Sequence, residues 1–334
     1  MQASIIVITR NRSASIAESL EALSGQECPE FEILVVDSSD EPEREPTAKV
    51  VRQYGAKYVL EPRRGQALAR NTGLRQAAGK ILAFTDDDCI PAKDWLAKKV
   101  RNFAEPTVWG CTGRVVQYSR SEASDLCEEV AGQDLGCDRR VFTGKDIQFG
   151  AGFLLGNLTK VFSKHMKSSA PVPYCIGHGS SMCFRREAFE QSGGFDERFG
   201  GGAPLGGCED MEMLYRTLKS NHSIVYEPLA VVRHKHRLTK EEVFKTRYVY
   251  SFAGAAFMRQ YRRDALMLVM FYGRLLQLVL KSTQYRLTGN KELAQSFKSD
   301  LRGFMAGWAA YRKFARDSSA QANKPALLPK AAAR

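Results

Sequence analysis

Several signatures that would class this chain quickly are missing from it. It has eight cysteines but no Cys-x-x-Cys pair, which excludes a zinc ribbon and a dithiol redox motif. No basic, apolar and small-residue leader stands before the first strand-like run, so reduced thiols in the cytoplasm are expected. The most apolar stretch, Ala265 to Leu280, is interrupted by Arg274 and Gln277. It falls short of the about 18–20 apolar residues that a confident membrane crossing needs. No recognised nucleic-acid-binding motif accompanies the positive charge, so nucleic acid is not an expected partner.

That charge is unevenly placed. Residues 240–334 hold 18 Lys and Arg against 6 Asp and Glu, a surplus equal to the whole net charge of +12. Everything before Lys240 is electrically balanced. A neutral body carrying a basic C-terminal region is therefore expected, at 1–238, 239–316 and a disordered tail 317–334.

In the body, short apolar runs alternate with helical stretches. Ser4–Thr9, Phe31–Val36, Lys57–Leu60 and Ile81–Phe84 read as strands. Ser15-x-x-Glu18 fits a capping box for a helix carrying Ile16, Leu20 and Leu23. A loop is expected at 41–46 and helices at 47–54 and 65–78. This alternation implies an α/β fold with a mainly parallel sheet covered on both faces. Ligands of such sheets gather beyond the carboxyl ends of the strands. Thr9-Arg10, Asp37-Ser38 and Asp86-Asp87-Asp88 all stand there.

The acidic triplet is the sharpest feature. Three adjacent carboxylates repel one another and suit neither helix nor strand, so a cation between them is expected. On extended backbone Asp86 and Asp88 point one way and Asp87 the other. Oxygen donors of this kind suit Mg²⁺ or Mn²⁺. An acidic surface turn is the alternative reading of the triplet alone.

Taken in order, these residues resemble family 2 of the nucleotide-sugar glycosyltransferases, with the GT-A fold. The matching segments are Ile6-Val-Ile-Thr9-Arg-Asn-Arg12, Val35-Val-Asp37-Ser-Ser, Gly65-x-x-x-Ala69-Arg-Asn71-x-Gly73 and Phe84-Thr-Asp-Asp-Asp88-x-x-Pro91. Further on come Met182-x-Phe-Arg-Arg186, Gly193-Gly-Phe-Asp196-Glu, Glu209-Asp210 and His234-x-His236. The resemblance implies that Thr9, Arg10, Asp37, Arg70, Asn71, Asp86 and Asp87 meet the nucleotide-sugar donor. It implies Asp88 as a metal ligand, joined by one of His234 and His236, with His236 preferred. Asp210 becomes the general base and Glu209 its helper, followed by inversion at the anomeric carbon. Glycines 200–207 become a loop that closes over the donor. Ser180-Ser181 departs from the Asn common in relatives, which puts acceptor contacts there in question. A carbohydrate or lipid-linked acceptor is expected.

The C-terminal region reads as helices. Its basic amphipathic part is expected either to lie on an anionic membrane surface or to pack on the body. Two other functions remain in play: a phosphatase with an aspartyl nucleophile, which Cys89 after the triplet fits poorly, and a non-catalytic donor-binding scaffold. No clear pattern emerges from 119 to 173.

Overall fold

The computed structural model describes residues 2–122, 125, 134–148, 175–235 and 239–317. The N-terminal part runs β1 (Ala3–Thr9), α1 (Ser13–Ser24), β2 (Phe31–Asp37), α2 (Glu41–Gln53), β3 (Lys57–Leu60), α3 (Gln66–Gln76) and β4 (Ile81–Asp86). Then come β5 (Cys89–Pro91), α4 (Trp95–Val100), β6 (Val108–Gln117), β7 (Arg140–Phe142), β8 (Met182–Arg185) and α5 (Arg186–Ser192). The body closes with α6 (Glu209–Lys219) and β9 (Ser223–His234). Among the described residues the strands form one sheet in the order β3-β2-β1-β4-β8-β6-β9-β5, with β7 also on β9.

The first four strands are parallel, and β8 runs antiparallel between β4 and β6. The expected α/β architecture, a parallel core covered by helices on both faces, is what the chain adopts, but the sheet as a whole is mixed and not mainly parallel, because β8, β5 and β7 add antiparallel pairings. Side chains alternate across it as strand geometry demands. Ile6, Ile8, Leu34, Val36, Leu82 and Phe84 face a core shared with α3, α5 and α6. Ile5, Val7, Ile33, Val35, Ile81 and Ala83 face a second core under α1, α2 and α4. On α1 the helically spaced Ile16, Leu20 and Leu23 are completely buried. Each contributes about 1.5–3 kcal/mol by leaving water. Glycine is required just before β4: a Cβ on Gly79 would lie 2.4 Å from the Ala3 carbonyl carbon.

Four local expectations are corrected. The stretch 41–46 is helical, because Pro42 sits in the first turn of α2, where a missing N–H costs nothing. The Ser15–Glu18 capping box does not form: α1 starts two residues earlier, and Ser15 Oγ donates to the Asp87 carbonyl at 3.0 Å. The runs 224–226 and 229–236, which the sequence pattern reads as separate, are joined as far as His234 in one strand, in which a register shift against β6 absorbs residues 228–230. The acidic triplet turns sharply after Asp86 and continues as β5, which pairs antiparallel with the end of β9.

Three long helices follow: α7 (Lys240–Gln260), α8 (Ala265–Leu287) and α9 (Lys291–Asp317). Thr239 and Glu242 form a reciprocal capping box at the start of α7. Phe257, Met267, Phe271 and Phe304 build a third core, which includes Phe199, Leu205 and Tyr215 of the body. Arg198 strengthens the junction by pairing with Asp196 and donating to Gln260 at 3.0 Å. The helices thus pack on the body through α6 and the loop before it.

Candidate active site

Register alone aligns the polar strand ends. Thr9 is paired with Asp37, Ile8 with Asp86, and Asp37 with Leu60. The carboxyl edge of the parallel strands is therefore one rim. Because the chain turns at Asp87, the simple in-and-out alternation expected for the triplet fails, and each carboxylate has its own partners. Asp86 accepts from Arg70 Nη2 at 3.2 Å. Asp87 accepts from Thr9 Oγ1 at 2.7 Å and from Arg12 Nη1 at 3.0 Å. Asp88 accepts from the same Arg12 nitrogen at 2.9 Å and from His234 Nε2 at 3.2 Å.

Their charge states differ accordingly. Burial pushes Asp87 up to about 6, only partly opposed by the Thr9 hydroxyl and Arg12. Burial also disfavours ionised Asp88, but His234 and Arg12 outweigh it and hold that carboxyl down at about 2. Asp88 is thus the member whose negative charge is held most firmly, while Asp87, at about 6, loses part of its charge just below neutral pH.

The second acidic site comes from α6. Cys208 enters it with a left-handed backbone, φ 72°, and the preceding loop turns through Gly200 at 98° and Gly202 at 85°. The Gln66 side chain accepts from the Gly201 N–H at 2.8 Å, and the Gly201 carbonyl accepts from the Gln66 N–H at 3.0 Å. This glycine loop is thereby fastened to the start of α3. The Asp210 carboxylate accepts from the N–H of Gly179 at 2.7 Å and from that of Met211 at 2.8 Å, and it is partly exposed. Glu209 is buried and bonded to Arg70 Nη1, and its carboxyl is raised by that burial despite Arg70.

Arg70 is the hinge of the arrangement. Buried on α3, it grips Asp86 at the end of β4 with one nitrogen and Glu209 at the start of α6 with the other. A Cβ placed on Gly179 would lie 3.1 Å from Asp210 Oδ2 and 3.2 Å from Arg70 Nη2. The acidic triplet and the Glu209-Asp210 pair, more than 120 residues apart in the chain, therefore share one cleft.

Other residues singled out in the sequence fall differently. Asp37 is at the rim but fully buried, and it accepts from Ser39 and from the Tyr58 hydroxyl at 2.9 Å. Arg10 pairs with exposed Asp40 at 3.1 Å. Asn71 does not face the cleft: its side chain donates to the Phe195 carbonyl at 2.9 Å and accepts from the Phe195 N–H at 2.8 Å. It clamps the Gly193-Gly194-Phe195 loop, and a donor contact is not open to it. Ser181 is fully buried and accepts from Trp95 Nε1 at 3.0 Å, a packing role. His236 lies outside the described residues, and His234 is the histidine at Asp88. Expecting just one of the pair to face the site also misread strand periodicity, because residues two apart share a face. Sequence reasoning gave no role to Arg12 or Gly179. Arg12 stands in the Thr9-Arg-Asn-Arg12 segment, but a loop cation's target is set by the fold.

A divalent ion is tested against the donors present. Among the described residues, donor atoms of Asp88, Cys89 and His234 lie within 4.8 Å of one another. Ionised Asp88 and the His234 imidazole suit Mn²⁺ or Mg²⁺ with water and phosphate completing the shell. Burial raises the Cys89 thiol well above its usual range, and a soft sulfur donor suits Mn²⁺ or Mg²⁺ poorly beside oxygen and imidazole donors. Arg12 offsets the charge of Asp87 and Asp88, and its side chain is 52% exposed.

A mixed α/β sheet with carboxylates from two distant segments at one edge is the arrangement of GT-A sugar-transfer enzymes. Residues 4–193 match the family model described as glycosyl transferase family 2, which covers more than half of the chain. The chain belongs to glycosyl transferase family 2. It is 23% identical over 279 residues to the pre-mycofactocin glycosyltransferase of Mycobacterium tuberculosis, covering 83% of this chain and 52% of that protein. The chain thus spans about half the length of the curated relatives it matches first. The O-antigen chain rhamnosyltransferase RfbN of Salmonella typhimurium is 24% identical over 247 residues, covering 73% of this chain and 70% of RfbN. Among solved structures, the mannosyltransferase PcManGT from Pyrobaculum calidifontis, in complex with GDP-Man and Mn²⁺, superposes with a TM-score of 0.56 at 21% identity. That match covers 98% of this chain and 81% of PcManGT. At that identity the likeness is one of fold.

Proposed function

We propose that this chain transfers a sugar from a nucleoside diphosphate donor to a hydroxyl of a carbohydrate or lipid-linked acceptor, with inversion at the anomeric carbon. The observation that carries this reading is Arg70 joining Asp86 to Glu209, which gathers both acidic sites around one cleft. The donor diphosphate would lie against the triplet, and the acceptor beside Asp210. Asp88 and His234 would hold Mn²⁺ or Mg²⁺. When bound, such an ion offsets the charge that builds on the departing diphosphate.

Asp210 suits a general base. Its carboxylate is partly exposed and is aimed by two backbone N–H groups, so its position does not depend on a flexible partner. The acceptor oxygen would bond to the anomeric carbon as the bond from that carbon to the diphosphate oxygen breaks. The hydroxyl proton would pass to Asp210. Glu209 is engaged with Arg70 and is better suited to positioning than to proton transfer. The glycine loop pinned by Gln66 would shield the sugar from water, whose attack competes with transfer.

GDP-Man and Mn²⁺ accompany the mannosyltransferase structure, and RfbN is named for O-antigen chains. Both support a sugar nucleotide as donor, a divalent ion and a saccharide acceptor here. The test is release of nucleoside diphosphate from a panel of UDP- and GDP-sugars with Mn²⁺. Asp210→Asn should retain donor binding and lower kcat by about 10²–10⁴-fold. Asp88→Ala should weaken donor binding and remove the response to Mn²⁺. Full activity in both variants would reject the assignment.

A further inference from the structure

We propose that α8, together with the groove at its C-terminal end, docks this protein flat onto an anionic phospholipid bilayer. The helix is inside out for a soluble protein. Leu268, Tyr272, Leu276, Val279, Leu280 and Leu287 are 37–83% exposed. At helical spacing they form one continuous outward face. Arg274 points the other way: it donates to Gln277 at 2.7 Å and approaches the buried Asp300 at 3.9 Å. A helix on the surface of a water-soluble domain turns its polar face outward. Here the apolar face is outward, and the opposite side packs Leu266, Met267, Met270, Phe271 and Leu278 into the third core.

Charge chooses the partner. From Ala265 through Lys291 there is no Asp or Glu, while Arg274, Lys281, Arg286 and Lys291 fall in the same span. Where α8 meets α9, a groove of about 570 Å³ is lined by Arg286, Lys291, Lys298 and Arg302 with Gln295 and Ser299. Among the described residues none of these four cations forms an ion pair. The groove adjoins Leu287, the most exposed apolar side chain on α8. Apolar area flanked by unpaired cations fits acyl chains beneath phosphate headgroups. The helix lies along the surface and does not cross it. It is packed lengthwise against α9, whose outer residues include Lys291, Glu292, Lys298, Arg302 and Lys313, all exposed. Insertion of α8 would carry those charges into hydrocarbon. The active-site carboxylates, Arg12 and His234 are on other elements, so this surface is independent of the proposed chemistry.

Flotation of the full-length protein with phosphatidylcholine vesicles, with and without phosphatidylglycerol, tests the proposal. Binding should require phosphatidylglycerol and weaken with salt. Replacing Lys291, Lys298 and Arg302 together by Ala should lower partitioning by on the order of 100-fold. Leu276→Asp with Val279→Asp should abolish binding while thermal unfolding stays as in the wild type, these side chains being exposed. Equal binding to neutral vesicles, or none to either, would overturn the proposal. So would a wild-type dimer that Leu276→Asp splits without any vesicle binding, which would assign the face to a second copy of the chain.

Discussion

Arg70→Met is the most informative single change in the body. The wild-type guanidinium is buried, and it compensates two carboxylates that burial already pushes toward the neutral form. Methionine fills similar space but leaves Asp86 and Glu209 without their cation. Removing one partner of a buried ion pair costs about 3–5 kcal/mol, because the remaining charge is stranded. Against a typical total stability of about 5–15 kcal/mol this is a large loss. The cost should depend on pH with a definite sign. Without Arg70 the folded-state pKa values of Asp86 and Glu209 rise further above their unfolded values. Stability of the variant is then fullest below the unfolded carboxylate range and is lost as pH rises through the folded values. Urea unfolding should therefore show variant and wild type close together near pH 4 and diverging toward pH 7. Glu209→Gln placed on Arg70→Met should recover part of the deficit, by about 0.5–3 kcal/mol. Should Arg70→Met differ from wild type by less than about 0.5 kcal/mol at neutral pH, or by the same amount at every pH, the bridging role would be wrong.

Three other outcomes follow from named contacts. Arg63 and Thr72 hold buried Glu61 down at about 2, so its contribution is present above pH 4.5 and disappears as pH falls toward 2. Glu61→Gln should remove on the order of 2–3 kcal/mol at neutral pH, discounted for the exposure of Arg63, and flatten the acid limb of the unfolding profile. Lys99 is fully buried, its Nζ finds no hydrogen-bond partner among the described residues, and burial lowers its pKa. Because its folded pKa lies below the unfolded one, Lys99 costs stability at neutral pH, and Lys99→Met should raise stability by about 1–2 kcal/mol; a destabilised variant by calorimetry would contradict this. Gly179→Ala would press a methyl against Asp210 and Arg70. Single-turnover assays should show catalysis reduced by on the order of 10–100-fold with donor affinity kept, and a variant as fast as wild type would show that Asp210 need not be held by that turn.

Much of this could be read from the chain. The apolar runs of β1, β2 and β4 each close on a polar residue, because a strand buried on both faces must be apolar until it reaches the edge. That periodicity gave the parallel core and its rim. The helical and basic character of the C-terminal region was equally visible, as was the amphipathic pattern of α8.

Partner choice was not visible. Asn71 sits beside Arg70 in the same segment, yet one closes the cleft and the other clamps a loop, because neighbours on a helix point about 100° apart. Arg12 reaches Asp87 and Asp88 only because β1 and β4 are adjacent in the sheet. The three residues of β5 carry too little pattern to announce a strand, and they exist as one because β9 offers them its edge. The sequence by itself determined which stretches could be strands and where carboxylates would collect, since those follow from local hydrophobic spacing. The tertiary structure alone decided that Asp86 and Glu209 share Arg70, and that the outward side of α8 is its apolar side. Both depend on contacts between segments distant in the chain, whose geometry no local pattern encodes.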